Sequence, residues 1–383
     1  MTADELSEII QQGENSSVEF KEDGVRPDSL AREMVAFANG SGGVICIGIT
    51  DTGQPTGADT SRITEEWVMN ICRTNIVPPL QVGYEQLLFR DHVVVVITIP
   101  KGPDKPYQSD HRYLIRVGST NRTATQTELM RLFQVAGVFH YDGVPIPATG
   151  MADLNMAALD TYFSPYHLEF SREMEESRRT LLKNTDILTE SGETTIAGML
   201  LFGMNPSRHL SQSGIAFAHY AGNEIGDELI DKQILEGTLQ FQVDSALACI
   251  RHNIMRPSRI EGGLRADTAN LLPERVFREL VVNAVVHRNY AIAGSRVRIF
   301  MFSDRIEFIS PGRLPNTVTI DKLRAGVSYA ANPIIVKFME NIGYMDRLGR
   351  GFPLVIHEVT KQGGEVAVRE LGEELRVTIV WAP

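Results

Sequence analysis

Residues 93–100 read VVVVITIP, the longest apolar run in the chain. The run is far too short to span a bilayer, which takes about 20 residues of helix. Its valines, isoleucines and threonine are β-branched, which disfavours helix and suits a pleated sheet. It therefore predicts a buried strand. The acidic, helix-forming start MTADELSEII has no charged-then-apolar pattern, so it predicts no signal peptide.

The chain has 383 residues, more than one core usually serves, and predicts two or three domains. Its net charge is −11, so contact with a phosphate backbone requires a local basic patch. Its three cysteines, Cys46, Cys72 and Cys249, are odd in number and contain no C-x2-C pair. That argues against a disulfide framework and structural zinc, and fits a reducing cytoplasm.

The expected fold class is α+β. A first unit, residues 1–136, mixes helices and strands. Thr2 with Glu5 and Thr125 with Glu128 have capping-box spacing. The segment 137–150, rich in Gly and Pro, reads as a linker. Residues 151–260 read as mostly helical, with one strand at GIAFAHYAG. Residues 261–383 read as helices over an antiparallel sheet, an α/β sandwich.

Two constellations carry chemistry. In GENSSVEFKEDG, residues 13–24, Glu19 and Lys21 lie two apart on a strand and share a face. Glu14 precedes the strand, and Asp51 ends another, VICIGITD. If the two strands are neighbours, three carboxylates and a lysine converge. Hard oxygen ligands suit magnesium or manganese, which can activate water on a scissile phosphate. A solvated strand face with one ion pair explains the same spacing. The segment 101–122 carries five Lys or Arg against two Asp, a local +3. Lys101, Arg112, Arg116 and Arg122 are its candidate phosphate contacts, with Tyr107 and Tyr113 available to stack on bases. In RELVVNAVVHRNY, Glu279, Asn283 and His287 recur every four residues and form a polar stripe on an apolar helix. An ordinary amphipathic helix edge gives the same pattern.

GENSSVEFKE, MVAFANGSGGVICIGITDTGQPTG and YLIRVGSTNRTAT, in this order, resemble the AlbA-like domain of the Schlafen family over roughly residues 8–132. The resemblance implies a nucleic-acid-contacting fold. In RNA-cutting members, the acids at the positions of Glu14, Glu19 and Asp51 form the metal-dependent active site, with Lys21 in the same motif. RELVVNAVVHRNY, DRIEFISPGRLP and DRLGRGF resemble a divergent GHKL-like module, over about 270–383, that is often fused to this domain. There the acid at Glu279 orients water, and Asn283 holds the magnesium bound to ATP. His287 belongs to the same stripe, and Gly312, Gly349 and Gly351 are the matching phosphate-side glycines. The adenine-reading Asp-x-Gly-x-Gly is replaced by Ser310-Pro311-Gly312, so no acid meets the adenine amino group. Proteins of this type carry a RecG-related label and are described as bacterial regulators. No G-x4-G-K-[ST] occurs, so a P-loop motor is not expected. The chain ends in strands, and no winged helix is expected after residue 360.

Three functions fit these features. The first is a cytoplasmic regulator binding RNA or DNA and ATP, in which a homodimer is expected. The second is a metal-dependent endonuclease acting on RNA or single-stranded DNA, with weak ATPase activity. The third is an assembly protein with two degenerate modules.

Overall fold

The computed structural model describes residues 1–254, 272–315, 318–327, 329–345 and 349–380. It divides into two units, Met1–Phe139 and His140–Pro383. The predicted boundary at residues 260 and 261 lies outside the described residues. No helix among those described is long and apolar enough to cross a membrane.

The first unit opens with α1 (Ala3–Gln12), closed at its start by the Thr2–Glu5 capping box and at its end by Gly13, whose φ is 71°. Then come β1 (Val18–Lys21), α2 (Pro27–Asn39), β2 (Gly43–Ile47), α3 (Glu65–Thr74), β3 (Gly83–Phe89), β4 (His92–Ile99), β5 (Leu114–Val117), β6 (Thr120–Thr123) and α4 (Gln126–Val135). The main sheet has the order β1-β2-β4-β3, with β1 and β2 parallel. The run VVVVITIP forms most of β4, between β2 and β3. Val94 and Val96 face one core with Leu6 and Phe20, while Val95, Ile97 and Ile99 face the other with Met34 and Phe37. Burial on both faces is why the run is continuous rather than alternating, each such side chain contributing roughly 1.5–3 kcal/mol. The hairpin of β5 and β6 stands apart from this sheet and packs on α2.

The second unit begins with helices α5 (Met156–Phe163), α6 (Glu175–Asn184), α7 (Ile196–Phe202) and α8 (Pro206–His209). They lead to β7 (Ile215–Tyr220), β8 (Leu229–Leu235) and α9 (Leu239–Ile254). The remaining elements are α10 (Glu274–Val286), β9 (Val297–Met301), β10 (Arg305–Pro311), α11 (Ile320–Arg324), α12 (Pro333–Asn341), α13 (Gly351–Lys361), β11 (Glu365–Leu371) and β12 (Glu374–Val380).

Its six strands run β11-β12-β10-β9-β7-β8 in one sheet. All neighbours are antiparallel except β7 and β9. This corrects the separate helical middle region expected over 151–260. Its strands β7 and β8 continue the C-terminal sheet, and Ile215 and Phe217 share one core with Ile299 and Phe308. Of the expected linker at 137–150, residues 140–150 belong to that unit: Asp142 is fully buried and accepts the N–H groups of Ile334 and Ile335 at 2.8 and 3.2 Å, capping α12. Burial pushes the Asp142 carboxyl up against the opposing pull of those two donors.

Candidate functional site

In α10 the apolar residues Val276, Leu280 and Val281 face the core and leave a polar stripe on the other side. Glu279, Asn283 and His287 of that stripe all line one cleft, open to solvent. Asn283 Nδ2 donates to Glu279 Oε1 at 2.8 Å. With its N–H spent on the carboxylate, the Asn283 amide has its hard oxygen left to offer a cation. Among the described residues His287 Nδ1 is buried without a hydrogen-bond partner, and its ring packs on Tyr329, centroids 4.6 Å apart. Burial pushes the His287 imidazole down to about 4 from 6.5, so it is neutral near pH 7.

Gly312, Gly349 and Gly351 line the same cleft. Gly351 starts α13, and a Cβ there would overlap the Glu279 carboxylate. Gly349 has a φ of 69°, and a Cβ there would overlap the carbonyl of Gly326. Two backbone segments thus close on each other at the end of the cleft where Glu279 stands. Gly312, with φ 126°, abuts Asn289, beyond His287 at the opposite end. Ser310 of β10 also lines the cleft, and its Oγ donates to Ala284 O at 2.7 Å. The hydroxyl ties sheet to helix there.

In the first unit, Glu14 Oε1 accepts the backbone N–H of Phe20 at 2.9 Å, fixing the loop to β1. Glu19 and Lys21 share a face of β1, but that face lies against α2 and the β5–β6 hairpin rather than solvent. Glu19 is 5% exposed and forms ion pairs with Lys21 and with Arg116, whose Nη2 is 2.6 Å from Glu19 Oε2. Arg116 also donates to Asn15 O and Val18 O, both at 2.9 Å, and its guanidinium lies 4.6 Å above the Phe37 ring. Glu33 of α2 completes the cluster, 3.8 Å from Lys21 and 3.4 Å from Arg116, with a hydrogen bond from Asn121. Burial, then the neighbouring Glu19, raises the Glu33 carboxyl against the pull of both cations.

The structure corrects the metal triad. Asp51 lies exposed in a turn after β2, past Gly48, while Glu19 is enclosed by two cations. Among the described residues, no group of three or more His, Cys, Asp or Glu side chains is placed to hold a metal ion. Glu14, Glu19 and Asp51 as they stand do not fit magnesium or manganese.

The basic segment is corrected in part. Arg116 is 3% exposed and committed to Glu19 and Glu33, so it is no surface phosphate contact. Tyr107 is buried, its hydroxyl accepting the Asp104 N–H at 3.1 Å, and it is not open to stacking. Asn39 holds this segment in place, donating to Tyr107 O and Leu114 O at 2.8 Å. Arg112 is exposed and Lys101 is half-buried. Arg122 is 45% exposed and makes two bonds to Glu128, at 2.7 and 2.8 Å, which hold that carboxyl down to about 2. Tyr113 is half-buried with its ring against Phe133.

Sequence reasoning missed Glu33 and Asn121 in the first unit, and Tyr329 and Gly326 in the second. A signal existed for Glu33: an acid with apolar residues following it in AREMVAFAN. None existed for the other three.

Residues 14–125 match the family model described as "Schlafen, AlbA_2". Residues 294–379 match the one described as "Putative ATP-dependent DNA helicase recG C-terminal". No curated protein matches the chain. Among solved structures, the DIP2311 protein from Corynebacterium diphtheriae is similar at 20% identity and a TM-score of 0.48, over 96% of this chain. This chain spans 65% of that one. The N-terminal domain of a "Putative ATP-dependent DNA Helicase RecG-related Protein" from Nitrosomonas europaea is similar at 20% identity and a TM-score of 0.26, over 33% of this chain and 94% of that one. The chain therefore joins an N-terminal domain of the Schlafen AlbA_2 family to a C-terminal domain of the recG C-terminal family.

Proposed function

We propose that the second unit binds a nucleoside triphosphate with magnesium in the α10 cleft, and that the first unit contacts nucleic acid, making the chain a nucleotide-responsive nucleic-acid-binding regulator. One observation carries the nucleotide reading. Glu279 and Asn283 of α10, and His287 at its C-cap, meet glycines from two distant segments, Gly312 and Gly349 with Gly351, around one cleft.

Each part has a physical role. The backbone at Gly349 and Gly351 can approach a phosphate closely, and the first N–H groups of α13 point outward from the start of an 11-residue helix. Asn283 Oδ1 would hold magnesium, which would neutralise phosphate charge. Glu279, hydrogen-bonded to Asn283, would orient a water toward the terminal phosphate. In the first unit, exposed Arg112 would meet a phosphate backbone, with half-buried Lys101 and the Glu128-paired Arg122 in the same segment. The enclosed Glu19 gives the endonuclease reading no observation in its favour.

Binding of a fluorescent ATP analogue with magnesium tests this reading. Asn283→Ala is expected to weaken binding at least tenfold. Equal binding by wild type and variant, or none by the wild type, would overturn it.

A further inference from the structure

The two ends of the α10 cleft differ in chemistry. At one end, Glu279 meets the start of α13 at Gly351, where backbone N–H groups gather. His287 is eight residues further along α10, roughly 12 Å at the helical rise. There the walls are the rings of His287 and Tyr329, and the backbone of Gly312 beside Asn289. A nucleoside triphosphate whose phosphates occupy the Gly351 end places its base at the His287 end.

Base reading there cannot use a carboxylate. Ser310 holds that position, and its hydroxyl is spent on Ala284 O at 2.7 Å. His287 lines the cleft with no side-chain hydrogen bond among the described residues; its Nδ1 is shut off from solvent, so Nε2 is the ring nitrogen open to a ligand. A polar atom with no protein partner gains most from a hydrogen bond that a ligand supplies. An ionised carboxylate only accepts, so it welcomes the exocyclic amine of adenine and rejects the carbonyl of guanine. A neutral imidazole offers one donor and one acceptor, and its tautomer follows the partner. It can meet either purine edge, while the flat pair of rings lies beside the base.

We propose that His287 reads the base in this cleft, and that it admits adenine and guanine nucleoside triphosphates alike. This rests on the nucleotide-binding reading above. The selectivity of the site is then set at the end of α10 and not on the strand carrying Ser310.

Dissociation constants for ATP, GTP and inorganic tripolyphosphate, each with magnesium, test it on the full chain. In the wild type, ATP and GTP are expected to agree within about fivefold, about the worth of one hydrogen bond. His287→Ala should weaken both by about tenfold and leave tripolyphosphate unchanged, which also reports that the cleft is still folded. His287→Gln keeps a donor and an acceptor and should restore most of the loss. A wild-type preference for one purine of a hundredfold or more overturns the inference without any variant. Unchanged ATP and GTP binding in His287→Ala overturns it as well, and leaves the nucleotide reading standing. A wild type that binds none of the three sinks both.

Discussion

Arg116 Nη2 stands 2.6 Å from Glu19 Oε2, with neither side chain more than 6% exposed. A motif that looks like a catalytic edge in the sequence is thus part of the packing between β1, α2 and the β5–β6 hairpin. Removing one partner of such a pair strands a buried charge, which typically costs about 3–5 kcal/mol. Arg116→Ala is therefore expected to lower the urea midpoint strongly. Adding Glu19→Gln to that variant should recover part of the loss, since of the two carboxylates that Arg116 meets only Glu33 then remains. An Arg116→Ala protein that unfolds with the wild type would show the pair to be idle.

Arg112 is exposed in the same basic segment, so its role should be electrostatic and local. Arg112→Ala is expected to weaken binding of single-stranded RNA and DNA to a similar degree across sequences. The slope of log affinity against log salt should fall by roughly 0.7, as for one lost phosphate contact on a single strand. An unchanged slope would remove Arg112 from the interface.

The glycines of the cleft are separable by what a methyl group would meet. Gly351→Ala drives a Cβ into the Glu279 carboxylate, so nucleotide affinity should drop more than tenfold. Gly349→Ala combines a left-handed backbone with a clash on the Gly326 carbonyl, and should lower both affinity and melting temperature. Gly372 is the control: its φ is 60°, but a Cβ there meets nothing within 4 Å. Gly372→Ala should cost about 1 kcal/mol of stability and leave binding alone. If all three lose binding equally, close approach at the cleft is not the cause.

His287 gives stability a pH dependence of known sign. Its folded value, about 4, is below the ordinary 6.5 because burial disfavours the imidazolium. Below pH 6.5 the unfolded chain takes up a proton that the folded chain refuses, so stability falls as pH drops toward 4. The loss reaches at most about 3 kcal/mol, and above pH 6.5 this group contributes no slope. His287→Gln removes the effect, so its midpoint should gain on the wild type steadily between pH 6.5 and 4. Parallel curves through that window would mean His287 is protonated in the folded state.

Features with a local physical cause were legible in the sequence. The β-branched VVVVITIP became a strand buried on both faces, and both capping boxes formed as their spacing required. The four-residue recurrence of Glu279, Asn283 and His287 placed them on one face of α10, lining one cleft. Features set by long-range packing were not legible. Arg116 and Glu19 are 97 positions apart, and nothing near either residue tells that the guanidinium turns inward over Phe37. Strand β8 was missed because it is a sheet edge with Leu229, Ile230 and Ile234 all at least 41% exposed, so it lacks the in-and-out alternation of a half-buried strand.

The order β11-β12-β10-β9-β7-β8 has a consequence for how such a protein can be inherited in pieces. The stretch matching the recG C-terminal family starts at residue 294, after α10 and after β7 and β8. Recombination at that point would carry off the glycines but leave behind Glu279, Asn283 and His287, and would bare the backbone of β9 where β7 had covered it. The smallest cassette that travels with its cleft whole reaches back at least to β7, so gene shuffling would retain roughly twice the length that the family match spans.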